Sequence, residues 1–362
     1  MGDIGLFDRL ALAALYGLEP EAAHNAALWA LEHGLAGSRS APDDSILATN
    51  VWGLEFRNPI GLAAGFDKDA RVADAMLRLG FGFVEAGTVT PLPQPGNPQP
   101  RLFRLEEDAG IINRLGFNSG GVEAFAERLR ARRQRPSAFG VVGANVGKNK
   151  DTVDGAADYV TGIESVAPYA DYIVCNISSP NTPGLRALQA RAPIEDLLRR
   201  ALAARARALP GAAKLPPLLV KIAPDLSDDE MRDVAEISMA LNIDGIMIGN
   251  TTIARGPELK SRHRNEVGGL SGEPLFALST RRLADMYRLT EGRMILIGTG
   301  GIGSGAQAYA KIRAGASLVQ VYSALIFKGP GVAARIARDL ADLLRSGGFS
   351  SVAAAVGADH RK

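Results

Sequence analysis

The stretch DYIVCNIS, residues 171–178, is apolar from Tyr172 to Cys175 and then turns abruptly polar. A short run that is apolar at nearly every position is typical of a strand buried on both faces of a parallel sheet. Helical patterns, such as residues 228–241 and 276–289, lie between such runs. The other seven runs are residues 59–65, 81–89, 139–147, 217–224, 244–252, 294–301 and 317–325. Eight strand–helix units in one chain predict an α/β fold, a (β/α)8 TIM barrel.

Two further segments flank this barrel pattern. Residues 45–56 are predicted to be a pair of strands that closes the barrel floor. Residues 1 to about 40 are predicted to form two short amphipathic helices, because their leucines recur at helical spacing. The apolar faces consist of Phe7, Leu10, Ala14 and Leu18, and of Leu28, Leu31 and Leu35. The predicted domains are therefore an N-terminal helical extension, residues 1–40, and a barrel, residues 41–362; the pattern leaves open whether the helices only pack on the barrel.

Composition limits the classes of function. The 362 residues are 46% hydrophobic and 22% charged, with a net charge of +2, so no strong field favours nucleic acid. The single cysteine, Cys175, excludes an internal disulfide framework, and with four histidines it cannot build a Cys/His zinc site, so no metal is predicted. The N-terminus lacks the basic region of a secretory signal, and the apolar run 10–18 is too short to span a bilayer. We therefore expect a cytoplasmic protein that could still contact a membrane surface.

Polar or glycine residues stand at the end of all eight predicted strands. In TIM barrels, functional residues gather at the carboxyl ends of the strands. Unpaired buried polar groups are costly, so a barrel without a site has no reason to carry them there. The residues at these ends are Ala64, Gly65, Asp67 and Lys68; Gly87 and Thr88; Asn145; Asn176, Ser178, Ser179 and Asn181; Lys221; Asn250 and Thr251; Gly300 and Gly301; and Tyr322 and Ser323. One central site is predicted.

The segment GTGGIGSG, residues 298–305, indicates where a phosphate binds. Glycine-rich turns let backbone N–H groups converge on an anion at a helix N-terminus, and in barrels this site follows strands seven and eight. A Rossmann fingerprint is the competing interpretation, but Leu318, Val319 and Gln320 stand where its acidic residue is expected. A Walker A loop is excluded because no Gly-Lys-Ser/Thr follows. Tight turns without a ligand remain an alternative.

The remaining strand ends offer amides, hydroxyls and two lysines, and no carboxylate pair for glycoside hydrolysis or metal binding. Such a lining suits a planar heterocycle with several carbonyl and N–H groups. It also suits an anionic substrate that needs Lys68 as its counter-charge. Flavin mononucleotide (FMN) stacked with a small polar ring is the ligand pair that this inventory favours.

Long motifs then identify a family. They are NPIGLAAGFDKDA, GFVEAGTVTPLPQPGNPQPRLFRL, INRLGFNSGG, NVGKNK, NISSPNTPGLR, KIAPDL, GNTTIAR, GGLSGEPL and GTGGIGSG. With them the chain resembles the quinone-dependent (class 2) dihydroorotate dehydrogenases, from about residue 40 to 345 and in the N-terminal helices. The resemblance implies oxidation of dihydroorotate to orotate in pyrimidine synthesis, with one FMN per chain and a membrane quinone as final acceptor.

The resemblance also implies roles for individual residues. Dihydroorotate loses a proton from C5 and a hydride from C6, which goes to flavin N5. Ser179 matches the catalytic base and Thr182 a residue of the proton relay, whereas Cys175 belongs to the core. The implied substrate-binding residues are Lys68, Asn113, Arg114, Leu115, Gly116, Phe117, Asn176, Asn181, Asn250 and Thr251. The implied FMN-binding residues are Ala64, Gly65, Phe66, Asp67, Lys68, Thr88, Asn145, Asn176, Lys221, Gly249, Gly272, Gly301, Tyr322 and Ser323.

The N-terminal helices of this family form an apolar tunnel for quinone and dock on the membrane. His24, Arg101 and Tyr322 match polar positions of the tunnel. The implied protein is a monomer, bound peripherally on the cytoplasmic side of the cell membrane. Alternatives from the residues are a Schiff-base lyase that uses Lys221, a flavin-binding scaffold without activity, and a cousin linked to NAD or fumarate. A Ser/His/Asp triad is disfavoured because no histidine lies near a motif.

Overall fold

A computed structural model of the protein describes residues 12–39 and 41–361, and within them thirteen strands. In chain order they are β1 (Thr49–Val51), β2 (Leu54–Phe56), β3 (Ile60–Leu62), β4 (Phe83–Val89), β5 (Leu102–Leu105), β6 (Gly110–Asn113), β7 (Val141–Val146), β8 (Tyr172–Asn176), β9 (Leu218–Ile222), β10 (Gly245–Ile248), β11 (Gly269–Gly272), β12 (Leu296–Thr299) and β13 (Leu318–Val321).

The α-helices of the described residues surround these strands. Residues 12–16 are helical. After them come α1 (Pro20–Glu32), α2 (Ala73–Arg78), α3 (Val122–Arg133), α4 (Gly155–Val166), α5 (Arg191–Ala208), α6 (Asp228–Ala240), α7 (Phe276–Leu289), α8 (Gly305–Arg313), α9 (Ser323–Lys328), α10 (Val332–Ser346) and α11 (Val352–Ala355). Short 3-10 helices occupy Glu106–Asp108, Leu185–Gln189, Glu273–Leu275 and Ala358–His360.

Eight of the strands close into a parallel barrel. Their order around it is β3, β4, β7, β8, β9, β10, β12 and β13, and β13 pairs with β3 to complete the ring. Each of the eight apolar runs in the sequence contains one of these strands, and the helices at 228–241 and 276–289 are present as α6 and α7. The predicted (β/α)8 TIM barrel is confirmed.

The antiparallel pair β1 and β2 closes the floor of the barrel, as the sequence predicts. Val51 and Phe56 belong to the same buried cluster as the lumen residues Phe83 and Tyr172. The rings of Phe56 and Phe83 meet edge to face, with centroids 5.4 Å apart. The floor is therefore sealed by apolar packing.

A second small sheet lies outside the barrel, and the sequence did not reveal it. It consists of three antiparallel strands in the order β11, β6, β5. Its outer strand β11 has the sequence GLSG, which lacks an alternating apolar pattern, and it pairs with β6 across more than 150 residues of chain. This sheet matters for the site because it carries Asn113 and Gly272.

The N-terminal segment packs on the barrel. The side chain of Glu19 accepts from the backbone N–H of Glu21 and so caps α1. Leu28 and Leu31 are buried in the main core, whereas Leu35 lies beyond the end of the helix and is exposed. Phe7 and Leu10, predicted on the first helix, lie outside the described residues. The predicted domain boundary at residue 40 stays a prediction. Among the described residues, no helix has both the length and the apolar character needed to cross a bilayer.

Two glycines in the lumen leave room for two aromatic rings. A Cβ added at Gly61 would lie 2.2 Å from the ring of Phe83, and one added at Gly143 would lie 2.2 Å from the ring of Tyr172. Large and small residues on neighbouring strands thus interlock in the lower lumen.

We expect Gly143→Ala to destabilise the protein by about 1–3 kcal/mol, because the added methyl group overpacks a core that cannot yield. The measurement is the midpoint of thermal unfolding, which should fall by several degrees. Gly17→Ala is the matched control, since its Cβ would lie at an ordinary 3.6 Å from its nearest neighbour. Equal midpoints for the two variants would contradict the packing of the lumen described above.

Candidate active site

The inward-facing residues of the barrel change from apolar to polar along the strands. Phe83 and Leu219 belong to the apolar cluster of the lower lumen. Side chains on a strand alternate between its faces, so the residue two positions further points to the same side. Two positions after these residues stand Glu85 and Lys221, and both are buried. A polar layer therefore lies above the apolar floor.

Buried amides and hydroxyls of this layer form a hydrogen-bonded chain. Asn176 Nδ2 donates to Thr88 Oγ1 at 2.8 Å, and Thr88 Oγ1 donates to Asn145 Oδ1 at 2.5 Å. Asn145 Nδ2 in turn donates to Glu85 Oε1 at 2.7 Å. At the other end, Ser178 Oγ donates to Asn176 Oδ1 at 2.7 Å. The chain runs from the ends of three strands down to one carboxylate, which holds these side chains in fixed orientations.

Lys221 carries a cation into this polar layer. Its side chain is 5% exposed, and its Nζ lies 3.9 Å from Glu85 Oε1. Burial lowers the pKa of Lys221 from its ordinary value, and the carboxylate of Glu85 acts in the opposite direction. Lys221 also lines the cavity above, so its ammonium N–H groups are available to a ligand there.

The loop after β8 carries the predicted base. Ser179 is buried, and its Oγ accepts a hydrogen bond from the backbone N–H of Asn181 at 3.2 Å. Arg186, at the far end of the loop, donates to the carbonyl oxygens of Ser178 and Thr251 and pairs with Asp225 at 2.8 Å. This arginine ties the loop to the ends of neighbouring strands.

Amide side chains from three different elements converge above the barrel. Asn181 Nδ2 donates to both oxygens of Asn113, which stands at the end of β6. Asn250 Nδ2 donates to Ser178 Oγ at 2.8 Å. The buried hydroxyl of Thr251 has no hydrogen-bond partner among the described residues. This cluster can therefore bind a small ring whose edges carry carbonyl and N–H groups.

Lys68 lies on the wall of the same cavity. Its ammonium group donates to the side-chain oxygen of Asn118. Burial lowers the pKa of Lys68 to about 7. An anionic group of a ligand beside it would favour the ammonium form, so Lys68 is suited to bind a carboxylate.

The glycine-rich turn after β12 lies at the opposite end of the cavity. Gly300, Gly301 and Gly303 line it, and α8 begins just beyond, capped by the side chain of Ser304. Ser323 Oγ lies 2.9 Å from Ser271 Oγ. Lys328 lines the same end and donates to the carbonyl of Gly303 at 2.9 Å. Backbone N–H groups, hydroxyls and a cation therefore surround the place predicted for a phosphate.

Many of these groups line one cavity at the mouth of the barrel, with an empty volume of about 1280 Å³ that includes its opening to solvent. The predicted residues that line it are Ala64, Gly65, Lys68, Thr88, Asn113, Leu115, Gly116, Phe117, Asn176, Ser179, Asn181, Lys221, Asn250, Thr251, Gly272, Gly301, Tyr322 and Ser323. The strand ends thus converge on one space that is long enough to have a ring end and a phosphate end.

A second cavity lies between the N-terminal helices and the barrel. Its walls are mostly apolar and include Leu31 of α1 and Met76 of α2. His24 lines it, and burial lowers the pKa of this imidazole to about 4, so the ring is neutral at pH 7. Four residues line both cavities: Leu102, Ile111, Tyr322 and Ile326. The two spaces are therefore separated by single side chains.

Arg104 lines this second cavity, as does Arg39, whereas Arg101, which the sequence predicts there, does not. The guanidinium of Arg101 is turned away and pairs with Glu21 at 2.6 Å, and it also donates to the carbonyls of Pro95 and Asn97. Arg104 donates to the carbonyl of Tyr16 at 2.9 Å. Arg101 immediately precedes β5 and Arg104 lies within it, three positions further on, so the two side chains point to opposite faces of the extended segment.

Some predicted residues stand behind the main cavity: Phe66, Asp67, Arg114, Asn145, Thr182 and Gly249. The carboxylate of Asp67 accepts from the backbone N–H groups of Arg71 and Val72, and burial raises its pKa to about 6. Arg114 points outward to Glu266 at 2.8 Å. These two side chains support the walls of the site and do not line the cavity.

Other cavity residues escaped the sequence interpretation. Gln320 and Thr299 are inward-facing polar residues of β13 and β12, and a polar residue inside an apolar run was the signal that could have found them. Glu85 gives the same signal within β4. Ser271 lies on the unpredicted strand β11, and Lys328 lies on a helix beyond the strand ends, so no strand pattern pointed to either.

Comparison with known proteins agrees with this geometry. The family model described as dihydroorotate dehydrogenase matches residues 46–344. A dihydroorotate dehydrogenase (quinone) of Azorhizobium caulinodans is 60% identical over 94% of this chain and 96% of its own length. A mitochondrial dihydroorotate dehydrogenase (quinone) of Arabidopsis thaliana is 48% identical over 95% of this chain and 80% of its own. The crystal structure of the Eimeria tenella enzyme in complex with ferulenol superposes with a TM-score of 0.91, at 44% identity, over 96% of this chain and 99% of that one. The chain belongs to the dihydroorotate dehydrogenase family.

Proposed function

We propose that this protein is a quinone-dependent dihydroorotate dehydrogenase, which oxidises (S)-dihydroorotate to orotate in pyrimidine synthesis. Its cofactor is one FMN per chain, and its final electron acceptor is a membrane quinone. The observation that carries the proposal is the shared wall of the two cavities at Tyr322 and Ile326. A polar site for two flat ligands thus adjoins an apolar site, which is what electron transfer from a pyrimidine to a quinone requires.

The polar cavity fits a flavin. Lys221 presents a buried cation with N–H groups free to bind a ring carbonyl, and the side-chain oxygen of Gln320 is buried without a partner among the described residues. Gly301, Ser323 and Gly272 would hold the phosphate end, and Thr88 and Lys221 the ring end. A flavin, when bound, accepts two electrons from the substrate and passes them to the quinone.

The substrate is proposed to lie against the amide cluster. Asn113, Asn181 and Asn250 offer donors and acceptors to the edges of a pyrimidine ring, and Thr251 adds a hydroxyl that lacks a partner. Each buried polar group left without a partner costs about 1–3 kcal/mol, so the cluster favours a ring that satisfies it. Lys68 supplies the counter-charge for the substrate carboxylate.

Ser179 is proposed to take the proton from C5 of dihydroorotate. Its Oγ already accepts one hydrogen bond from the backbone N–H of Asn181, which fixes its position. A serine hydroxyl is a weak base, so it must release its own proton as it accepts another. Thr182 has a buried hydroxyl without a partner among the described residues, and it is the proposed next step of the relay.

The second cavity is proposed to admit the quinone, with His24, Arg104 and Tyr322 as its polar positions. Leu18, Trp29 and Leu35 are among the exposed large apolar residues of the described chain, and all three belong to the N-terminal segment. Such a cluster suits peripheral docking on the cytoplasmic face of the membrane. We propose that the protein acts as a monomer.

The direct test of the proposed function is an anaerobic absorbance spectrum. We expect the purified protein to be yellow, to be bleached by dihydroorotate, and to regain its colour with a soluble quinone. A colourless protein, or a yellow one that dihydroorotate leaves unchanged, would contradict the proposal.

Ser179→Ala should retain its flavin and be reduced by dihydroorotate about 10²–10⁴-fold more slowly, because general base catalysis is typically worth that factor. The measurement is anaerobic stopped-flow absorbance of the bound flavin. Ser346→Ala, which alters an exposed serine at the end of α10, is the control and should react like the parent. Near-parental reduction of the Ser179 variant would remove the base assignment.

Ala27→Trp should block the apolar cavity and leave the polar one intact, because Ala27 lines only the former. We expect flavin reduction by dihydroorotate at the parental rate and reoxidation by a quinone at least tenfold slower. Ala22→Trp is the matched control, since Ala22 lies on the same helix, is exposed and does not line the cavity. If both variants reoxidise alike, quinone does not enter by this route.

Trp29→Ser should weaken binding to anionic phospholipid vesicles, because the indole is half-exposed on α1, the helix that forms part of the wall of the second cavity. Co-sedimentation measures this, and flavin reduction by dihydroorotate should stay unchanged. Val153→Ser serves as control, since Val153 is fully exposed on the loop before α4. Equal sedimentation of both variants and the parent would argue against docking through this segment.

A further inference from the structure

Glu85 is a carboxylate that the chemistry described so far leaves without a role. It stands in the middle of β4, faces the lumen below the main cavity, and its side chain is fully buried. It does not line the cavity. A buried carboxylate is expensive to keep in a folded protein unless it is paired and hydrogen-bonded, so its presence calls for a reason.

Three neutral donors hold this carboxylate in place. Asn145 Nδ2 donates to Oε1 at 2.7 Å, and Gln320 Nε2 donates to Oε2 at 2.8 Å. The hydroxyl of Tyr172 donates to Oε2 at 3.3 Å. These donors come from three different strands, β7, β13 and β8, so the two oxygens cannot move without breaking contacts across the lumen.

One cation faces the fixed carboxylate. Lys221 Nζ lies 3.9 Å from Oε1, and the two side chains are 5% and 0% exposed. At that distance and burial, the attraction is much stronger than between surface charges, because water does not screen it. The same lysine lines the cavity in which we place the flavin, so the pair links the buried polar layer to the cofactor site.

We propose that Glu85 is a positioning residue of the cofactor site, whose carboxylate keeps the Lys221 side chain charged and directed at the flavin ring. This inference rests on the proposed function, since it takes the flavin as the ligand above Lys221. A cation at that place stabilises the negative charge that a flavin gains on reduction. Glu85 thus acts through Lys221 and touches neither substrate nor cofactor.

Among the described residues around Lys221, Glu85 is the group that favours its charged form. Burial lowers the pKa of Lys221, and the carboxylate of Glu85 raises it. The other titratable group at the pair is Tyr172, whose hydroxyl pKa is raised well above its ordinary value by burial, so it stays neutral. Without the carboxylate, Lys221 loses its proton at a lower pH, and the cation disappears as the pH rises.

The test is the reduction potential of the bound flavin in Glu85→Gln, measured against redox dyes from about pH 6 to about pH 9. Towards the acid end, both proteins favour the charged form of Lys221, so the potential of the variant should equal or exceed that of the parent. As the pH rises, Lys221 loses its proton earlier in the variant than in the parent, so the potential of the variant should fall below the parental one. In parallel, the ratio of variant to parental flavin-reduction rate should fall at least about tenfold between these ends, because the variant loses the cation first.

A difference in potential that is the same at every pH would overturn the proposal, since it would reflect only the loss of a nearby negative charge. Tyr172→Phe is the control: it removes one neutral donor from Glu85, keeps both charges, and should follow the parental pH dependence. If Glu85→Gln does not fold, Glu85→Asp carries the test, because it keeps the charge but withdraws it from Lys221. It should show the same alkaline loss at a higher pH, and a parental profile would overturn the proposal.

Two outcomes separate this inference from the proposed function. If the parent is not bleached by dihydroorotate, the proposed function fails and the role of Glu85 falls with it. If the parent is bleached but the alkaline loss is absent in the Glu85 variants, the inference alone is wrong.

In a Lys221→Met background, Glu85→Gln should add no further alkaline loss, and a loss of the same size there would also overturn the inference.

Discussion

The pairing of β13 with β3 is the constraint on which the site depends. Val319 opposite Ile60 and Val321 opposite Leu62 close the ring of parallel strands, so that residues from positions 64 and 322 come to lie beside each other. A Cβ at Gly65 would stand 3.3 Å from the ring of Tyr322, which shows how close the two ends are. Because all eight strands are parallel, closure also brings every other carboxyl end to the same rim. An open sheet with the same strands would spread these side chains along an edge and could not enclose two rings.

The barrel and the main site could be predicted from the sequence because both depend on local periodicity. The eight apolar runs predict the strands. The residues that follow each run are predicted to lie at the rim of the barrel, because a residue just after a buried strand must lie at its carboxyl end. The sheet of β5, β6 and β11 could not be predicted, because the pairing of β11 with β6 is long-range and β11 contains two glycines in four residues. For the same reason Asn113 could be assigned to the site only through resemblance to a family, and Ser271 could not be assigned at all. The wrong choice of Arg101 in place of Arg104 for the second cavity has a similar origin. The sequence shows two arginines on one short segment, and the long-range ion pair with Glu21 turns the Arg101 side chain away from the cavity.

The two cavities divide the proposed reaction by polarity. The main cavity is lined by amides, hydroxyls and three lysines, of which Lys221 is buried, and this lining suits a charged heterocycle and a phosphate. The second cavity is lined mainly by aliphatic side chains, and burial keeps its histidine, His24, neutral. Four side chains, Leu102, Ile111, Tyr322 and Ile326, belong to the walls of both cavities, so the proposed substrate and quinone sites adjoin one another. The rings of His24 and Tyr322 both meet Phe66 edge to face, so an aromatic row runs from the helix α1 to the shared wall. This row packs the N-terminal segment against the barrel, in addition to the proposed role of that segment in quinone access.

Buried charge is the feature that most clearly separates this barrel from one built only for stability. Joint replacement of Lys221 and Glu85 by apolar residues of similar size would avoid the cost of desolvating two charges, so stability alone does not explain this buried pair. The hydrogen bonds around Glu85 reduce that cost, and they also fix a direction: every donor in the chain from Ser178 to Asn145 points toward the carboxylate. Reversing one amide would oppose two donors or two acceptors somewhere along the chain. A single buried anion in the polar layer, Glu85, can therefore orient side chains above it, at the level where the substrate is proposed to bind.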